Sequence, residues 1–160
     1  MYSRNTYNVK VICVLLFTMA LLLGCAIKYR PPQNETSNYS TPHQSKKAMV
    51  LAKTKKVLIQ EGFYIQSSDD ASGLVSTAPK QRKLKPEQAN CGKTMALNYL
   101  HDPRTTTDVA FDVVVDDVNL TIHSKIQGQY KASALDESMI LTCVSHGSAL
   151  ERSLAYKILN

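Results

Sequence analysis

Apolar side chains fall on the odd positions Val109, Phe111, Val113 and Val115, then on the even positions Val118, Leu120, Ile122 and Ile126. The phase changes across Asp116-Asp117, where an antiparallel chain must turn if one face is to stay apolar. A two-residue turn there pairs Val115 with Val118, Val113 with Leu120 and Phe111 with Ile122. The other face then pairs Asp112 with Thr121 and Asp108 with Lys125. This predicts a hairpin with one buried face and one wet face.

Shorter patterns place the remaining elements. Phe63-Tyr64-Ile65-Gln66 and Leu74-Val75-Ser76-Thr77 flank a turn-rich stretch ending at Gly73, a second hairpin. Residues 138–145 read as a further strand, and Thr94 to Leu100 offers another. Thr41-Pro42-His43-Gln44 reads as a capping box ahead of Ala48, Leu51, Ala52, Lys55, Leu58 and Ile59, with Gly62 as the helix stop. Ser148-Ala149-Leu150-Glu151 reads the same way ahead of the stripe Leu150, Leu154 and Ile158. The expected domain, residues 41–160, is α+β: an antiparallel sheet of about four to six strands with two helices packed on one face.

The N-terminal pattern is of a different kind. Arg4 and Lys10, with no acidic residue, precede an apolar run from Val11, interrupted by Thr18, that ends at Leu22-Leu23-Gly24-Cys25. That ending resembles the lipobox of bacterial lipoproteins. The resemblance implies a signal peptide of residues 1–24, cleavage between Gly24 and Cys25, and lipidation of Cys25. Three acyl chains would hold the protein firmly to a membrane. Ala26, in place of the Asp that retains such proteins in the inner membrane, implies sorting to the outer membrane of a Gram-negative cell. The alternatives are an uncleaved membrane anchor, for which the run is barely long enough, and an ordinary export signal. Residues 25–40, polar and Pro-containing, read as a tether.

Charge and cysteines add to this address. Net charge is +6, and the leader removes Arg4 and Lys10 but no acid. What is left is mildly basic and dispersed, and does not point to nucleic acid. Cys13 leaves with the leader and Cys25 is acylated, so Cys91 and Cys143 remain as a pair in an oxidising compartment. A disulfide between them is expected, with two buried free thiols as the alternative.

No constellation for catalysis, cofactor or metal emerges. Asp70-Ala71-Ser72-Gly73-Leu74-Val75 resembles the Asp-Cys-Ser-Gly-Leu-Val signature of cell-wall cysteine peptidases, but Ala71 stands at the nucleophile and has no thiol to ionise. Gly92-Lys93-Thr94 lacks the glycine five residues upstream that a phosphate loop needs, because Glu87 is there. His43, His101, His123 and His146 share no metal-ligand spacing.

The element order is similar to that of small envelope lipoprotein modules. The leading expectation is a non-enzymatic lipoprotein of the outer membrane that binds an envelope protein, in assembly, secretion or envelope maintenance. A carrier of lipid or a small hydrophobic ligand, with Val109, Phe111, Val113 and Ile122 as cavity walls, is the alternative. A cell-wall hydrolase is a third and weaker one.

Overall fold

The structure, a computed structural model, describes residues 29–33, 37–95, 97–133 and 137–160. Its elements run β1 (Asn38–Pro42), α1 (Lys47–Gln60), β2 (Ile65–Asp69), β3 (Leu74–Thr77), β4 (Lys80–Gln81), β5 (Ala89–Asn90), β6 (Lys93–Thr94), β7 (Leu97–Asn98), β8 (Thr105–Val115), β9 (Asn119–Tyr130), β10 (Met139–Ser145) and α2 (Ala149–Leu159). The fold is α+β. An eight-stranded antiparallel sheet runs β2-β3-β8-β9-β10-β5, with β1 added to β9 and β4 to β8, and β6 and β7 form a small separate hairpin. The expected four to six strands become eight because two-residue strands, and one from the expected tether, join the sheet.

β8 and β9 are the spine. Val109, Val113, Val115, Leu120 and Ile122 are fully buried, and Phe111 and Ile126 nearly so. The expected face is right and the expected register is not. Val115 pairs with Leu120, Val113 with Ile122 and Phe111 with Ser124; Asp112 meets His123 and Asp108 meets Gln127. The Asp116 carboxylate accepts the Val118 and Asn119 amides at 2.7 and 2.5 Å, which holds a wider turn and leaves Val118 59 % exposed. The slip is two residues, so every side chain keeps its side of the sheet.

Thr41 and Pro42 do not begin the first helix. They end β1, pairing with Leu120 and Asn119 along the part of β9 that β10 does not cover. Pro42 sits there at a sheet edge, where it forfeits no ladder bond. So the last residues of the expected tether, 38–40, are part of the sheet, and Ser37 before them is buried. α1 starts at Lys47 and buries Val50, Leu51, Thr54, Val57 and Leu58, while Ala48, Ala52 and Ile59 are exposed. Thr54, a polar residue in mid-stripe, disguises that line. Gly62 does stop the helix: at φ 76° it returns its amide to Ile59, and Phe63 returns to Leu58.

α2 begins where expected but is capped otherwise. Ser148 has no side-chain cap bond and donates its hydroxyl to the Asn38 carbonyl at 2.9 Å. The Leu150 amide instead reaches the Ser145 hydroxyl at 3.1 Å. Glu151 turns inward to accept the Ser124 hydroxyl of β9, fully buried. Both helices cover the Val109–Val115 face, so the opposite face, with Asp112, His123 and Lys125, is bare of any described helix.

Candidate functional site

Gly24 and Cys25, the expected cleavage and lipidation residues, lie outside the described residues. Cys91 and Cys143 are disulfide-bonded, with their Cα atoms 4.0 Å apart. β10 presents Cys143 opposite Ile126 of β9. Cys91 follows β5, which pairs with the far end of β10 through Val144–Asn90 and Ser145–Ala89. Gly128 makes room for the bridge. A Cβ there would stand 2.9 Å from the Cys143 sulfur and 3.1 Å from Leu141 Cβ. A glycine inside a strand pattern is the signal that could have exposed this close approach.

The first described residues are sewn to this staple. The Tyr29 hydroxyl donates to the Cys91 and Thr142 carbonyls at 3.1 Å each and accepts the Thr142 amide at 3.1 Å. Burial raises its pKa above the usual phenol value. Arg30 and Lys93 exchange backbone hydrogen bonds of 2.8 and 2.9 Å, an isolated antiparallel bridge onto β6. Gly92 at φ 77° lets this approach happen, since a Cβ would fall on the Arg30 carbonyl. Edge-on rings continue inward, with Tyr29 and Tyr99 centred 5.7 Å apart and Tyr99 and Tyr130 5.0 Å apart. Arg104 closes the row. It stacks 5.1 Å from the Tyr130 ring, grips Asp102 in a fork of 2.9 and 2.6 Å, and donates to the Ala132 carbonyl at 2.6 Å. The guanidinium bonds lower the Asp102 carboxyl pKa to about 2. None of this was visible in sequence, where Tyr29 read as part of a tether.

Beside the staple is an open cleft of about 510 Å³, lined by Arg30, Lys93, Asn90, Asn98 and His146 with three prolines at its rim. None of its described lining residues is a carboxylate. Its chemistry suits an anion.

The other expected chemistry is dispersed or structural. Asp70-Ala71-Ser72-Gly73 is the β2–β3 turn, in which Asp69 accepts the Ala71 amide, Asp70 pairs with Lys55 at 2.5 Å, and Gly73 at φ 79° abuts the Val115 carbonyl. No three His, Cys, Asp or Glu residues among the described residues converge on a metal position. Val109, Phe111, Val113 and Ile122 are packed under the helices as core. The pocket that reaches Phe111 measures about 50 Å³, whereas a cavity of about 150 Å³ is what benzene occupies.

No family model matches the chain, and no curated protein matches it. Among solved structures it is similar to a DUF4468 family protein from Bacteroides ovatus ATCC 8483, at 15% identity and a TM-score of 0.43. The match covers 69% of this chain and 63% of that one. A likeness at that level lends nothing to the reading of fold or function.

Proposed function

We propose that the protein is an exported lipoprotein, acylated on Cys25, whose domain acts by binding another envelope component. The observation that carries this reading is the Cys91–Cys143 bridge in the domain that follows Leu22-Leu23-Gly24-Cys25. Such bonds persist in oxidising compartments, so anchor motif and domain chemistry point to the same side of the membrane. Ala26 directs the anchor to the outer membrane in a cell that has two.

Of the surfaces open to a protein partner, the bare face of the sheet fits better than its edges. β1 ends in Pro42, and β2 is polar and carries a register shift between Ile65 and Ser67, both of which blunt strand addition. On the face, Leu74 and Val114 pair across β3 and β8, both partly exposed beside Asp112.

Two measurements test this. Intact mass of the membrane-extracted protein should show a chain beginning at Cys25 with acyl mass added, lost in Cys25→Ala; an unprocessed chain would overturn the anchor. A photo-crosslinking residue at Thr121 or His123 should give protein adducts in whole envelopes. Adducts only from β2 positions would move the partner to the edge, and none from either would remove the binding role.

A further inference from the structure

The tether is far shorter than its composition suggests. Tyr29 is fixed to Cys91 and Thr142, and Arg30 to Lys93. Only four residue steps separate Cys25 from Tyr29, and even fully extended they span about 14 Å. The headgroup layer on each side of a bilayer is itself roughly 5–7 Å deep. A domain held this way stays within about 10 Å of the headgroup layer, and the part nearest Tyr29 is the part closest to the membrane.

The surface there has matching chemistry. Arg30 and Lys93 are exposed, and neither makes an ion pair with a described residue. Two residues beyond Lys93, Met95 is 78 % exposed at φ 43°, held out where the β6–β7 hairpin turns. Thr142, which binds Tyr29, lies opposite Gln127 of β9. The acidic turns are at the other end of that strand, about 26 Å away at an ordinary rise per residue. There Asp116 and Asp117 stand beside Asp69 and Asp70, brought together by the Val115 to Gly73 backbone bond. Arg30 and Lys93 therefore lie near the anchor and four aspartates at the far tip, where Lys47 and Lys55 stand among them.

We propose that the surface formed by Arg30, Lys93 and Met95 rests on the bilayer that holds the anchor, the two cations against lipid phosphates and the Met95 side chain in the headgroup layer. The proposal rests on the lipoprotein reading and gives it an orientation: the acidic turns point away from the membrane and the bare sheet face stands roughly upright to it. A second basic surface exists on α1, where Lys47 and Lys55 are occupied by the Ala71 carbonyl and Asp70 and Lys46, Lys53 and Lys56 are exposed. The described residues nearest the anchor, Tyr29 and Arg30, bond to Cys91, Thr142 and Lys93 instead.

The test uses the processed, acylated protein, its Cys25 modification verified by mass. It is reconstituted in vesicles of three parts phosphatidylethanolamine to one part phosphatidylglycerol. Single probes are placed by Met95→Cys, Val118→Cys and Lys53→Cys, and each is read for quenching by an aqueous quencher and by a quencher in the lipid. The probe at 95 should be shielded from water and reached from the lipid, while those at 118 and 53 stay aqueous. Each cation near an anionic surface contributes about a fivefold bias, so Arg30→Gln with Lys93→Gln should lower the docked-to-free ratio roughly 25-fold. An acylated protein whose probe at 95 remains aqueous, or whose probe at 53 is the shielded one, would overturn the orientation and leave the anchor standing. Shielding of 95 in native envelopes but not in protein-free vesicles would assign the surface to a protein and overturn the lipid assignment. A chain without acyl groups on Cys25 would bring down the anchor and the orientation together. Release of the probe by inorganic phosphate at constant ionic strength would make the cleft a free-phosphate site instead.

Discussion

The β8–β9 hairpin and the crossing between β4 and β8, of which only β5 joins the main sheet, are held together differently. The hairpin buries nearly every inward side chain over 11 and 12 residues. The crossing holds three two-residue strands and a single 3-10 turn. It is fastened by a disulfide, by Asn90 and Asn98 side chains that accept amides two residues on, by a tyrosine hydroxyl and by an Arg–Asp fork. Burial is non-directional and tolerates a two-residue change of register, whereas point fastenings depend on single residues. The difference teaches that this small domain relies on its core for the sheet and on staples for the surface around Tyr29 and Cys91.

Removing the staple is the severest way to break that division. The bridge closes a separation of 52 residues, which the chain-entropy model values at about 4 kcal/mol. Cys91→Ala with Cys143→Ala should lower the denaturant midpoint accordingly, and under native conditions proteolysis should open residues 85–101 first. Cleavage that begins instead in the β8–β9 hairpin would show that the two regions are not separately held. On the other side, Leu120→Ala removes a fully buried side chain from the hairpin, at a cost of about 3 kcal/mol. That loss should appear as global unfolding, with amide exchange rising throughout the sheet rather than in the crossing alone.

The same division explains what could be read from sequence. Alternation from Val109 to Ile126 exposed the hairpin's buried face, because burial writes a period of two into the chain. It left the register two residues out, because the Asp116 carboxylate sets the turn and apolar spacing is the same either way. Thr41-Pro42 has the letters of a helix cap, yet the uncovered half of β9 takes it as a strand, which only tertiary pairing decides. Ser148 and Glu151 also have capping letters, but their side chains go to Asn38 and Ser124. The disulfide was legible by counting the cysteines left once an exported chain was expected. Tyr29 was not, since a hydroxyl that bonds 62 and 113 residues away leaves no local period.

Tyr29→Phe sharpens the comparison at a smaller scale. It keeps the ring against Tyr99 and deletes the hydroxyl bonds to Cys91 and Thr142, a loss of about 1 kcal/mol. Amide exchange should rise at Thr142 and Arg30 and remain unchanged across β8. An unchanged Thr142 amide would mean that the segment around Tyr29 is held by the Arg30–Lys93 bridge alone.

The smallest effect is at the joint between the two regions, where Asp102 ends the crossing and Arg104, just before β8, stacks on Tyr130 of β9. Arg104 lowers the Asp102 carboxyl pKa from its ordinary 3.8 to about 2. A carboxyl with a depressed folded-state pKa contributes stability that is fully present above the unfolded value and is lost as pH falls through the folded one. The fork should therefore hold at neutral pH and weaken between about pH 4 and pH 2. Because the pair lies near the surface, salt should reduce the effect. Asp102→Asn should flatten the acid limb of the stability curve, with the altered amides confined to 99–105 and 130–133. A flattening that instead spread along β9 toward Leu120 would place the fork within the hairpin's own cooperative unit, and the joint would cease to be a boundary.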